Sequence, residues 1–198
     1  MKRNDISDKL IHFTGPQDDW DRAYSQLKSI IGDRFIRGGN GMIRSGDRCV
    51  CFTEAPLLSL LDGFVNESNY SRYSPFGIMV DKAWLFERGG RPVIYQSESE
   101  YAALPEQLQW RHVRYEPTGI TPIDFTWERE WRIKCERLVF WPNEVGIVVP
   151  SRDWANALVL DHEREQDDEV EMYSLIMNES LAELYREDFP WRIYILGN

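Results

Sequence analysis

The residues in this chain whose types could carry chemistry are polar groups set inside strongly apolar segments. His12 lies in Leu10-Ile11-His12-Phe13-Thr14, and Thr53-Glu54 follows Cys51-Phe52. Tyr73 precedes Ser74-Pro75-Phe76-Gly77, and Arg91 precedes Pro92-Val93-Ile94-Tyr95. Glu128 and Glu130 flank Arg129 in Thr126-Trp127-Glu128-Arg129-Glu130-Trp131-Arg132. A carboxylate pair can stabilise a developing positive charge or accept a proton. If the segment is extended, alternation puts Glu128 and Glu130 on one face and Trp127, Arg129 and Trp131 on the other. Each group also has a structural reading. His12 can be a satisfied core histidine, Glu128 and Glu130 can pair with Arg129 or Arg132, and Tyr73 can be a loop aromatic. Their joint order along the chain says more than any one of them.

Several chemistries lack their signatures. There is no His-Glu-x-x-His and no Cys-x-x-Cys, and the three histidines (His12, His112, His162) are scattered. There is no Walker loop and no Gly-x-Ser-x-Gly elbow. Gly38-Gly39-Asn40-Gly41 does not fit the dinucleotide fingerprint and no strand-to-helix switch surrounds it. A metal-dependent nuclease set can be tried on Asp124, Glu130 and Lys134. Its spacing is off by about two residues, which leaves Lys134 some ~13 Å along the strand from Glu130 at about 3.3 Å per residue. No metal site is expected.

The elements that must position these groups are short. Strands are expected at 9–14, 35–36, 48–53, 76–80, 93–95, 131–135, 145–149 and 192–196. Residues 42–43 read as the return of a hairpin and 123–127 as extended. Helices are expected from Asp18 or Asp19 to 31, over 57–64 behind Pro56, over 82–88, over 97–110 with Ser97 and Glu100 as a capping box, and over 175–185. Residues 66–72 read as a polar loop, and 155–160 fits either a strand or a helix. Seven acidic residues in the eleven positions 161–171 read as a solvated loop, without the glycine and ligand spacing of a calcium site. Short strands and helices alternate without long βα periodicity, which implies an α+β domain with antiparallel or mixed sheets.

Composition narrows the partners. Lys and Arg number 23 and Asp and Glu 33, a net charge of −10, so non-specific nucleic-acid binding is not expected. Eight Trp imply flat apolar surfaces in the core or lining a pocket. No apolar run approaches the roughly 18 residues of a membrane span, so no membrane partner is expected. No apolar segment follows Met1-Lys2-Arg3-Asn4-Asp5, so no signal peptide is expected and the expected compartment is the cytoplasm.

The order of the polar groups resembles the His-Tyr-Glu branch of the ADP-ribosyltransferase superfamily. His12-Phe13-Thr14 looks like its first-strand His-x-Thr, and Tyr73, or else Tyr95, looks like its aromatic. Glu128-Arg129-Glu130 looks like a Glu-x-Glu whose second member is catalytic. A resemblance over about residues 10–140 is to the AbiGi-type abortive phage resistance family. It is carried by His12-Phe13-Thr14, Val50-Cys51-Phe52-Thr53-Glu54-Ala55-Pro56-Leu57, Phe76-Gly77-Ile78, Lys82-Ala83-Trp84, Gly90-Arg91-Pro92-Val93-Ile94-Tyr95 and Glu128-Arg129-Glu130-Trp131-Arg132. That family has been labelled an antitoxin, which implies a binding protein.

These resemblances imply an ADP-ribosyltransferase-like split sheet with flanking helices, in a single domain over 1–198. The acidic loop and a helix–strand elaboration occupy about 151–198. They imply NAD as substrate, without a metal, in a phage-defence or toxin–antitoxin setting. Glu130 would stabilise the ribose cation and hold the 2′-hydroxyl, and Glu128 would align the acceptor. His12 would bond another ribose hydroxyl, Thr14 would bond the adenosine half or a ribose, and Tyr73 would stack on nicotinamide. Arg91 and Tyr95 complete the cofactor-binding set. The alternative is a catalytically silent binding protein on the same fold, with a cognate toxin or antitoxin as partner.

The thiols supply a first prediction. Cys49, Cys51 and Cys135 should be free, because alternating strand cysteines in a reducing compartment have poor bridging geometry. Intact mass after alkylation under denaturing, non-reducing conditions should show three modified sites. A count lower by two would mean a disulfide and overturn the expected compartment.

Overall fold

A computed structural model describes residues 7–16, 18–54, 74–118 and 120–197. The expected helix at 57–64, the loop at 66–72 and Tyr73 lie outside the described residues. The protein is a mixed α+β structure around a seven-stranded sheet of mixed orientation.

In chain order the strands are β1 (Lys9–Phe13), β2 (Phe35–Arg37), β3 (Cys49–Thr53), β4 (Gly77–Asp81), β5 (Arg91–Pro92), β6 (Ile94–Gln96), β7 (His112–Arg114), β8 (Glu130–Lys134), β9 (Arg137–Val139), β10 (Val145–Val149) and β11 (Arg192–Ile195). The main sheet runs β11-β10-β4-β1-β3-β8-β5. Its neighbours are antiparallel except β10 and β11, which are parallel. β2 pairs with β9, and β6 pairs with β7 in parallel.

The register of this sheet is uneven. β1 and β4 form a ladder from Lys9↔Asp81 to Phe13↔Gly77, and β3 and β8 form one from Cys49↔Lys134 to Thr53↔Glu130. Between β1 and β3 the only register pair is Ile11↔Thr53. The sheet is therefore two well-laddered halves joined by a short pairing between β1 and β3.

The helices among the described residues are α1 (Trp20–Asp33), α2 (Lys82–Glu87), α3 (Arg152–Ser174) and α4 (Glu179–Ala182). Asp19 caps α1 by accepting from the Arg22 N–H at 2.9 Å. One face of the main sheet packs against these helices. Leu10, Val50, Phe52, Ile78, Trp131 and Ile147 meet Leu27 of α1, Leu85 of α2 and Leu158 of α3 in one continuous core. Tyr24 and Phe76 of this core meet the partly buried Trp154, which lies tilted 4.9 Å from Tyr24 and edge-on 5.0 Å from Phe76. Trp131 and Trp154 meet the expectation of aromatic core surfaces. Trp141 instead lies exposed under the Arg34 guanidinium.

On the opposite face the apolar residues split in two. Ile11, Met79, Val148 and Leu196 form one cluster, and Ile43, Cys49 and Trp110 another. The first sits over the β1 half and the second over the β3 half.

Several expectations are corrected. The acidic run 161–171 is not a loop but the middle of α3. Residues 152–174 contain no Gly or Pro, and good helix formers dominate. Ala155, Leu158, Gln166 and Val170 recur on one buried face, so the carboxylates decorate the others. Residues 155–160 are helical for the same reason. The helix expected at 175–185 is only α4 followed by a 3₁₀ turn at Glu183–Tyr185. Residues 97–110 form two 3₁₀ helices, Glu98–Ala103 and Glu106–Arg111, because Pro105 interrupts the run; the Ser97–Glu100 capping box is present. Met42 lies in a turn, and the expected hairpin return is replaced by a lone Gly39↔Cys49 bridge, with β2 pairing to β9. Among the described residues no helix is long and apolar enough to cross a membrane. Cys49, Cys51 and Cys135 are free.

Gly77 lets β4 lie against β1. A Cβ there would stand 2.5 Å from the His12 carbonyl oxygen, a backbone atom that cannot step aside. Gly77→Ala should destabilise the fold by about 1–3 kcal/mol. Gly32→Ala is the control. It lies in α1 with nothing within 4 Å of the added carbon, and it should be neutral or stabilising by about 0.5–1 kcal/mol. Urea denaturation measures both, and equal midpoints for the two variants would refute the close-approach argument.

Candidate functional site

The seam between β1 and β3 opens into a cavity of about 150 Å³. Ile11, His12 and Phe13 come from β1, and Cys51, Phe52 and Thr53 from β3. Glu128 and Glu130 close it from the approach to β8. Three sequence-predicted residues, His12, Glu128 and Glu130, therefore meet in one place.

His12 sits where the ladder lapses. Its Nδ1 lies 2.8 Å from the Cys51 carbonyl. A carbonyl only accepts, so Nδ1 carries the proton and donates. Burial pushes the imidazole pKa below its ordinary value, and the Cys51 hydrogen bond opposes this only in part. The ring is then neutral at pH 7, with Nε2 as an acceptor. It tilts against Phe52 at 5.8 Å. The side chain thus replaces a missing rung of the sheet.

Glu128 reaches the cavity by a different route from the one expected. Residues 123–127 are not a continuous strand. Thr126–Glu128 is a 3₁₀ turn, and Arg129 takes a left-handed conformation at φ 45°. Asp124 begins the turn, its carboxylate accepting from the Thr126 N–H at 2.9 Å and hydroxyl at 2.6 Å. The Thr53 hydroxyl donates to the Glu128 carbonyl at 2.6 Å and secures the turn to β3. Alternation holds only from Glu130 onward, and a turn rather than an extended strand brings Glu128 to the cavity lining.

Glu130 is gripped by Arg132, its neighbour two residues along the same face. Arg132 Nε donates to one carboxylate oxygen at 2.7 Å and a second guanidinium nitrogen donates to the other at 3.2 Å. The remaining terminal nitrogen donates to the Trp110 and His112 carbonyls at 3.0 and 2.9 Å. Arg132 is only 4 % exposed. Burial works against its charge, and Glu130 more than offsets this and raises its pKa. The pairing with Arg132, one of the two readings of Glu130 from sequence, is present.

Tyr95 stands behind Glu130. Its hydroxyl accepts the Glu130 backbone N–H at 3.1 Å. Burial, opposed by that hydrogen bond and aided by the charges of Glu130 and Glu128, pushes the phenol up to about 12. It stays protonated and keeps a donor to offer. The thiols are poor nucleophiles. Burial raises Cys49 to about 11, and burial with the Glu130 carboxylate raises Cys51 further.

Two expected binding residues are not part of this site. Arg91 donates to the Phe86 and Gly90 carbonyls at 2.8 and 2.7 Å and stacks over Phe86, so its guanidinium is occupied away from the seam. Thr14 is buried just past β1. Its N–H donates to Phe76 at 2.8 Å and its carbonyl accepts from Ser74, and it does not line the cavity. Tyr73 is outside the described residues. The nuclease set does not assemble: Asp124 caps a turn, Glu130 holds Arg132, and Lys134 pairs with Asp47 at 2.6 Å. Glu54 bonds Lys82 at 2.6 Å and the Trp131 indole at 2.8 Å. Among the described residues no group of three His, Cys, Asp or Glu side chains is placed to hold a metal.

Arg132 is the residue that the sequence reading undervalued. Its signal was the alternation Glu130-Trp131-Arg132, which puts the ion pair on one strand face. No family model, curated protein or solved structure matches this chain.

Removing one member of a buried pair strands the other. Arg132→Met should cost about 3–5 kcal/mol, and adding Glu130→Gln should recover part of that loss. Urea denaturation of the two single variants and the double variant gives the coupling. A cost below about 1 kcal/mol for Arg132→Met would place the pair among weak surface pairs and end its role as an anchor.

Proposed function

We propose that the seam cavity is the reacting centre of an NAD-dependent ADP-ribosyltransferase or NAD glycohydrolase, on an ADP-ribosyltransferase-like split sheet, in a phage-defence or toxin–antitoxin setting. The observation that carries the reading is that His12, Glu128 and Glu130 all line the cavity at the seam between β1 and β3. The cavity is smaller than the roughly 300–1,000 Å³ of pockets that enclose drug-sized ligands, so it would take the nicotinamide–ribose end and not the whole dinucleotide.

In the proposed reaction the bond between ribose C1′ and the nicotinamide nitrogen breaks. Its electron pair leaves with nicotinamide, and positive charge builds on the ribose, as in glycoside cleavage. Glu130, held by Arg132, faces that charge without having to reorient. The neutral His12 accepts a hydrogen bond from a ribose hydroxyl through Nε2. Glu128 takes the proton of the attacking water or acceptor hydroxyl as the new bond to C1′ forms. Tyr95 steadies the backbone of Glu130.

The same ion pair favours a second reading. A carboxylate fully engaged by a buried arginine has a structural reason to exist, which fits a catalytically silent binding protein on the same frame.

Nicotinamide release from NAD separates the two. The enzyme reading expects turnover by the parent protein. It expects Glu130→Asp, which keeps the charge but withdraws it by one methylene, to lower turnover by about 10²–10⁴. Glu130→Gln should do the same and should also lower thermal stability by leaving Arg132 unpaired, so circular dichroism at the assay temperature is the folding control. Glu128→Gln should reduce acceptor labelling more than NAD hydrolysis. A parent protein with no heat of NAD binding and no nicotinamide release would leave the binding reading standing.

A further inference from the structure

We propose that the C-terminal end of α3 together with α4 is a docking surface for a basic, amphipathic segment of a partner protein. This surface is separate from the seam and does not depend on the chemistry proposed there.

Apolar side chains are concentrated here and point outward. Leu175, Ile176 and Leu184 are 82, 80 and 78 % exposed, and Met172, Leu181 and Tyr185 are more than half exposed. The short α4 buries its smallest residue, Ala182, and presents Leu181 outward, as the following 3₁₀ turn presents Leu184. Isolated exposed leucines are ordinary, but six large apolar side chains exposed within Met172–Tyr185 mark a contact surface. The Tyr173 and Tyr185 rings, 5.1 Å apart, tie the end of α3 to the residues after α4.

Tyr173 and Tyr185 also line a groove of about 470 Å³ between α1, α3 and the chain from Tyr185 to Trp191, which adjoins the cluster through them. Along α3 the groove carries Asp161, Glu165 and Glu169, one helical turn apart. Asp161 is already bonded to Lys28 at 2.6 Å and Tyr24 at 3.0 Å. Glu165 and Glu169 are exposed, Glu169 also accepting from the Gln166 side-chain amide at 3.4 Å, and they line the groove with Tyr173, Tyr185 and Glu187, opposite Lys28 and Arg34. Carboxylates beside aromatic faces suit an ammonium or guanidinium group.

Charge complementarity selects the occupant. A second copy of this chain would bring another acidic rim from a molecule of net charge −10, and an anionic lipid surface would be repelled in the same way. A helix with apolar residues on one side and Lys or Arg on the other satisfies both parts of the surface.

The test uses the full chain and three labelled synthetic peptides in fluorescence anisotropy. One is a Leu/Lys amphipathic helix, one carries Glu in place of Lys, and one scrambles the Leu/Lys sequence so that no apolar face remains. The Leu/Lys helix should bind at least about tenfold more tightly than either control. Leu175→Ser with Leu184→Ser should weaken it about tenfold. Glu165→Gln with Glu169→Gln should flatten the loss of affinity between ~50 mM and ~500 mM salt. Equal binding of the helix and its scrambled form, or insensitivity to both double variants, overturns the proposal. So does sedimentation as a dimer that Leu175→Ser with Leu184→Ser dissociates, which would make the occupant a second copy. Retention by phosphatidylglycerol vesicles, lost in the same variant, would make it a membrane and overturn it equally.

Discussion

A buried guanidinium must have its charge and its donors satisfied, and in this protein that requirement falls on Arg132. A pair of bonds reaches Glu130 and another reaches the Trp110 and His112 carbonyls. The small β6–β7 sheet and the second 3₁₀ helix are thereby drawn against β8, and Glu130 is held toward the seam. An unpaired charge at this depth would cost several kcal/mol, so the partners cannot drift independently. The Glu130 backbone is held as well, by Tyr95. The same constraint underlies both functional readings, since a carboxylate locked by a buried arginine is both a structural anchor and a preorganised charge.

The second constraint is the single register pair between β1 and β3. On the helix-covered face the core runs across this junction without a break, with Leu10 and Ile78 on one side and Phe52 and Trp131 on the other. Packing on that face holds the two halves together although their ladder does not. On the other face the apolar clusters stop short of each other, and polar side chains occupy the interval. His12 fills the lapse in backbone pairing by donating to Cys51, which keeps that buried carbonyl satisfied.

The long acidic helix α3 shows how one element serves two surfaces. Ala155 and Leu158 near its start join the main core, while Val170 and Gln166 keep its later turns against the protein. The Gln166 side-chain amide oxygen accepts the Glu187 N–H at 2.7 Å, and His162 Nε2 donates to the Glu187 backbone carbonyl at 3.0 Å. These bonds lace the returning chain onto α3 before it enters β11. Exposed carboxylates and aliphatic side chains are left on the outside, where neither the core nor the seam uses them.

The sequence by itself determined most strands of the main sheet, because apolar runs such as Val145–Val149 have few other ways to bury themselves, while β7 and β9 carry no such run and were not foreseen. It narrowed the cap of α1 to Asp18 or Asp19, and it determined the capping box at Ser97 and the candidacy of His12, Glu128 and Glu130, since a polar residue inside an apolar run needs a partner or a purpose. It misjudged elements in which local composition competed with burial. The acidic run looked solvated because charge density was weighed above the recurrence of Leu158, Gln166 and Val170 on one face. The approach to Glu130 looked extended because nothing local announces a left-handed Arg129. Thr14 and Arg91 looked available because their neighbours are apolar. Only the tertiary structure decided that Arg91 turns to the Phe86 and Gly90 carbonyls, that Arg132 takes Glu130, and that β1 meets β3 at one pair. Each of these is a contact between residues far apart in the chain or a choice among several possible partners, and such choices are made by packing geometry, which no local pattern encodes.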